Sequence, residues 1–120
     1  MYGVPPNLPL QAFVGQEINQ VCLGQFQTQL HSSGIGSISI EGHWELRDEA
    51  GVIVDAEKPH AERERYRIHQ IIDVPITAFS IDAPRSFTLR FENGLELTVF
   101  DSLQRYESFS VQVSGRLVIV

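Results

Sequence analysis

The feature that most limits how this chain can fold is a run of alternating side chains on either side of Glu92-Asn93-Gly94. Phe87, Leu89 and Phe91 alternate with Thr88 and Arg90, and Leu95, Leu97 and Val99 alternate with Glu96 and Thr98. Period two is the mark of strands with one buried face. A two-residue Asn-Gly turn would set Phe91 opposite Glu96 and put each apolar row beside a polar one. A three-residue loop, with Gly94 left-handed after a type I turn, sets Phe91 opposite Leu95, Leu89 opposite Leu97 and Phe87 opposite Val99. All the apolar groups then share a face, while Thr88 meets Thr98 and Arg90 meets Glu96 on the other. The spacing predicts that register.

Similar signals recur along the chain. Phe109, Val111 and Val113 alternate with Ser110 and Gln112, Ser114-Gly115 turns, and Arg116 to Val120 is apolar on both sides. That last segment reads as a covered strand or as one that pairs with another chain. Upstream, Phe26, Thr28 and Leu30 alternate with Gln27 and Gln29. After Ser32-Ser33-Gly34, one longer strand is expected to carry Ile38, Ile40, Gly42, Trp44 and Leu46 on one face. Asp48 to Gly51 reads as a turn, with Val52 to Val54 returning. Ile18 to Leu23 and Ile76 to Ile81 are further strands, each opening one half of a weak internal repeat. Trp44-Glu45 and Tyr106-Glu107 hold comparable places in it, although extra residues around Asp101 to Arg105 break the alignment.

Between the halves, Pro59 to Ile72 is the one helical segment, with Pro59 in its first turn and Ala61, Ile68, Ile71 and Ile72 on one stripe. The expected fold is α+β, mostly β: an antiparallel curled sheet, or an open barrel or roll, from two similar β halves with one helix between them. Residues 1–15, with Pro5, Pro6 and Pro9, read as an extended N-terminal arm before a single β-rich domain, 16–120. Leu8, Leu10 and Phe13 decide whether that arm lies against the body.

The formal charge of −6 disfavours a nucleic-acid partner, which calls for a dense positive surface. No apolar run is long enough for a membrane span. The first residues lack a basic and apolar leader pattern, and the single Cys22 can form neither an internal disulfide nor a cysteine metal cage, so a cytoplasmic location is expected.

Candidate chemistry is sparse. His31 and His43 are expected on the order of 20 Å apart, and His60 and His69 on nearly opposite helix faces, so no metal site or cofactor is expected. Glu41, His43 and Glu45 share a strand face on which a proton shuttle would fit, as would an ordinary solvated face. Glu107 has the parity of Phe109 and is expected at the rim of the core, pairing with Arg85, Arg90 or Arg105. Arg63 and Arg67 form a candidate anion patch on the helix. No nucleophile elbow, phosphate loop, HExxH or EF-hand spacing occurs.

Phe91-Glu92-Asn93-Gly94-Leu95-Glu96-Leu97 followed by Tyr106-Glu107-Ser108-Phe109 resembles a pattern in uncharacterised small bacterial domains of unknown function. The resemblance implies a bacterial origin and carries no site residues with it. Three functional readings follow from the sequence. The first is a non-catalytic protein-interaction module, such as an acidic inhibitor or immunity-type protein that binds a basic surface. The second is a small-ligand-binding domain using the concave sheet face near Trp44, Tyr106 and Glu107. The third is an enzyme using Glu107, His43 or Glu45. Pairing of the C-terminal strand across a two-fold axis would make a homodimer.

Overall fold

The computed structural model describes residues 1–120. The chain is mostly β, with ten strands: β1 (Gln20–Leu23), β2 (Thr28–Ser32), β3 (Gly36–Ile40), β4 (Trp44–Arg47), β5 (Ile53–Ala56), β6 (Ile76–Asp82), β7 (Ser86–Phe91), β8 (Glu96–Phe100), β9 (Phe109–Val113) and β10 (Arg116–Ile119). They form two five-stranded antiparallel sheets, in the orders β1-β2-β3-β9-β10 and β5-β4-β8-β7-β6. Neither closes into a barrel. The inward rows of the two sheets meet in one core, where Phe87 of β7 lies edge-on to Phe109 of β9 at 5.0 Å between ring centroids.

The hairpin register matches the sequence expectation residue by residue. Phe87 faces Val99, Leu89 faces Leu97 and Arg90 faces Glu96. Phe91 N–H donates to Leu95 O at 2.9 Å, and Gly94 has φ +87. On the outward side the Thr88 and Thr98 hydroxyls bond at 2.9 Å, and Arg90 meets Glu96 at 2.7 Å.

The repeat is built into the topology. In each half a three-stranded meander (β1-β2-β3 or β6-β7-β8) lies in one sheet. The following hairpin then crosses to the other sheet: β4 pairs with β8, and β9 pairs with β3. Leu30 corresponds to Leu89, Ile38 to Leu97 and Leu46 to Val111. The correspondence extends upstream of the strands. A 3-10 turn, Gln11–Phe13 or Ile68–Ile71, precedes a residue with positive φ, Gly15 or Asp73. The bonds there are reciprocal, with Gly15 N–H donating to Ile76 O at 2.7 Å and Asp73 N–H to Ile18 O at 2.8 Å.

Four expectations need correcting. The single long strand after Gly34 is two strands in different sheets. The break falls at Glu41-Gly42, whose amides both donate to Ser108 O, each at 2.8 Å. Gly42 is required there because a Cβ would crowd the Ser102 and Ser108 side chains. Trp44 corresponds to Phe109, not to Tyr106, because the link 101–108 is longer than its counterpart between β3 and β4. Phe26 does not continue the buried row of Thr28 and Leu30; it stands at the β1–β2 tip, 80 % exposed.

The fourth correction is the helix. Residues 59–72 form an extended strap with two 3-10 turns, His60–Glu62 and Ile68–Ile71. In an α-helix the Arg67 and Ile68 amides would donate to carbonyls one turn back. Here both donate to Asp55 Oδ2, at 2.7 and 2.8 Å. The N-terminal segment 1–15 does lie against the body, with Val4, Leu8, Leu10 and Phe13 in the core.

Candidate functional site

The strap is held beside β5 by Asp55 and Arg63. The Arg63 guanidinium meets Asp55 Oδ1 at 2.7 Å, with both side chains nearly inaccessible to solvent. Its second terminal nitrogen donates to Ala56 O at 2.7 Å, and the guanidinium carbon lies 4.5 Å from the Tyr66 ring centroid and 5.7 Å from that of Trp44. Burial pushes the Asp55 carboxyl up, and hydrogen bonds from the Arg67 amide, the Arg63 guanidinium and the Ile68 and Ala56 amides outweigh it, so the net displacement is downward. Arg63 Nε is buried without a hydrogen-bond partner. Arg63 and Arg67 therefore do not make the exposed anion patch expected of a helix: Arg63 is committed to Asp55.

Trp44 is buried, and its indole N–H donates to Thr28 Oγ1 at 3.3 Å across the two sheets. Tyr106 and Glu107 lie in the link 101–108, both exposed. The three residues do not line one cavity. Glu107 misses the expected rim of the core because its link leaves the strand before β9 begins, so the parity counted back from Phe109 does not apply; it makes no ion pair. Trp44 does border a cleft of about 210 Å³, whose other walls are the β1–β2 tip, the break at Ile40 to Gly42, Glu57 and Lys58 after β5, and the strap residues His60 and Arg63. His60 is fastened there, with Nε2 2.9 Å from Gly24 O and Nδ1 2.8 Å from the Tyr66 hydroxyl.

On the outer face of the second sheet, His43, Glu45 and Arg47 form a ladder along β4. Glu45 Oε2 is 2.9 Å from His43 Nε2, and Glu45 Oε1 is 2.7 Å from Arg47. The His43 bond, with Arg47 assisting against partial burial, holds the Glu45 carboxyl below its ordinary value. Glu41, beyond the break at Gly42, is not part of the ladder. None of His43, Glu45 and Glu107 borders any of the principal clefts, so the ladder reads as charge pairing on a solvated face.

The outer face of the first sheet has a different chemistry. Its two cross-strand rows are Cys22, Gln29, Ser39, Ser110, Ile119 and Gln20, His31, Ser37, Gln112, Leu117. No Asp, Glu, Lys or Arg occurs in either row. Leu117 and Ile119 are 56 % and 41 % exposed at its β10 edge. The reciprocal bonds between Phe109 and Val120 make that pair a hydrogen-bonded one. By alternation the N–H and C=O groups of Arg116 and Val118 face β9, and those of Leu117 and Ile119 face outward, unpaired. β2, β3 and β9 each show polar alternation in the sequence; that the outward residues join into one uncharged face emerges only when β9 and β10 are known to cross beside β3.

No helix is long and apolar enough to cross a membrane. Compared with protein-family models, curated proteins and solved structures, the chain matches none, so the likeness to small bacterial domains assigns no family.

Proposed function

We propose that the protein is a non-catalytic interaction module that docks a partner along β10 and the adjoining uncharged face of the first sheet. One observation carries this reading: an edge strand with outward, unpaired backbone groups also presents Leu117 and Ile119 to solvent. Natural sheets commonly blunt such edges with charge, proline or cover, and interface centres are depleted in charge. The internal repeat supplies a comparison, since β5, the counterpart of β10, has the strap beside it.

A second copy suits this edge. Antiparallel pairing about Val118 sets Leu117 opposite Ile119 of the partner subunit and forms about four backbone hydrogen bonds across the two-fold axis. The charge of −6 serves the acidic-inhibitor or immunity-type form of the reading, by steering the chain toward a basic partner. The single cysteine, Cys22, fits a reducing, cytoplasmic setting.

Light scattering after size exclusion tests the proposal, comparing the native chain with Leu117→Lys and Ile119→Lys. The expected result is a dimer at high concentration that either lysine converts to monomer, or, with a different protein as partner, a monomer whose binding to that protein the same lysines abolish. A native chain that stays monomeric at about 1 mM, and captures no protein from a bacterial lysate at low and moderate salt, overturns it.

A further inference from the structure

We propose that the cleft between the strap and the β1–β2 tip binds a small amphoteric ligand of the α-amino acid class, independently of any partner on β10. The two halves of the repeat differ at this place. Thr28 and Trp44 occupy the positions held in the second half by Phe87 and Phe109. There the two rings pack directly on each other. Here the smaller threonine stands by Trp44, the Arg63 guanidinium lies over the indole, and the cleft opens beside them. No comparable cleft opens in the second half.

The chemistry of the walls indicates the ligand. Arg63 has a free Nε–H donor, although its side chain is only 4 % exposed, and the exposed Lys58 ammonium stands on the same cleft. Glu41 and Glu57, both exposed, line it as well. Two cationic and two anionic side chains suit a molecule carrying one charge of each sign better than a simple anion, the more so because Asp55 already neutralises Arg63. Lys58 would take the carboxylate, with the buried Arg63 charge behind it, and Glu41 and Glu57 the ammonium. At about 210 Å³ the space is smaller than the roughly 300–1,000 Å³ of drug-sized sites, which limits the occupant to a single amino acid or a molecule of similar size.

The test is titration of the isotope-labelled native chain, followed by amide NMR, with the twenty common L-amino acids singly and with acetate and methylammonium as single-charge controls. The expected result is saturable shifts at Gly24 to Thr28 and at Glu41 and Gly42 for at least one amino acid, with both controls at least about tenfold weaker. Because Arg63 also anchors the strap, the variants are Lys58→Ala and Glu57→Gln, exposed residues of which only Glu57 has an ion-pair contact, to His43 at 3.9 Å, and the spectrum of each away from the cleft and His43 should match that of the native chain. Each should weaken binding by about five- to tenfold. No saturable shift up to about 10 mM, or binding that neither variant alters, overturns the assignment; so does acetate binding as tightly as the amino acid, which would make this a plain anion site.

Discussion

Replacing Asp55 with asparagine tests the account of the strap most directly. The change is nearly isosteric, so it opens no cavity, yet it removes the charge opposite Arg63 and disturbs the acceptor shared by the Arg67 and Ile68 amides. Breaking one partner of a buried, hydrogen-bonded ion pair costs about 3–5 kcal/mol, because the other charge stays buried. At roughly 4 °C per kcal/mol for a domain of this size, Asp55→Asn should lower Tm by about 12–20 °C. Arg63→Met should cost less, about 1–3 kcal/mol, since the carboxylate keeps its three amide donors and the methionine can still cover Trp44. Adding Asp55→Asn to Arg63→Met should then be milder than Asp55→Asn alone, with a coupling of about 1–3 kcal/mol. Thermal unfolding followed by circular dichroism measures all three variants. A loss within about 0.5 kcal/mol of wild type for Asp55→Asn, or strictly additive effects, would refute the claim that this pair pins the strap. The pH dependence has a fixed sign. With the folded carboxyl held below its unfolded value of about 3.9, its contribution is complete above that value and is lost as pH falls through the lower, folded value. Asp55→Asn should accordingly flatten the acid limb of the stability profile.

Other consequences are narrower. Gly94→Ala forces a side chain into φ +87 and against Glu49, and should cost about 1–2 kcal/mol by denaturant unfolding. Gly36→Ala should be worse, failing to give a cooperative transition, because its Cβ would overlap the Gln112 carbonyl oxygen in the β3–β9 ladder and main chain cannot swing aside as Glu49 can. The Glu45 carboxyl should titrate below an ordinary glutamate by carbon-detected NMR, and His43→Ala should move it upward. An unchanged midpoint would mean the 2.9 Å contact is not formed in solution.

The contrast between the C-terminal hairpin and the strap shows what was legible in the sequence. Around Glu92-Asn93-Gly94 the local rules agree: alternation, loop length and glycine conformation all specify one register, and the structure has it. In Pro59 to Ile72 the apolar residues cluster late, and the stripe from Ala61 to Ile68 is bridged by Arg65 alone. A helix there had little to bury. It loses to Asp55, which supplies acceptors for amides that a helix would have satisfied itself. No local pattern announces that contest, because the deciding carboxylate lies on β5. Trp44, Tyr106 and Glu107 are not brought together for a related reason: aligning the halves by residue type puts Tyr106 where Phe109 belongs, whereas the ladder pairings align them by position. Arg63 was noticed only as a surface charge, since burial of a strap arginine has no periodic signature.

The exchanged hairpins also bear on where function can sit. Because β4-β5 completes the second sheet and β9-β10 the first, each half is closed only by the other, and the core depends equally on both. Most inward positions are therefore constrained alike in the two halves, as the pairs Leu30 with Leu89 and Ile38 with Leu97 illustrate, with Thr28 for Phe87 and Trp44 for Phe109 as the exceptions. Outward rows are free of that constraint, and there the two sheets differ: paired charges on the outer face of one, uncharged serine, glutamine and histidine on that of the other. The same reasoning applies to the lateral edges, where one exchanged strand has the strap beside it and its counterpart presents Leu117 and Ile119 to solvent. Packing accounts for what the halves share. The two proposed sites are placed where the halves differ, at the β10 edge and beside the Thr28 and Trp44 pair, and not on the charged ladder of β4.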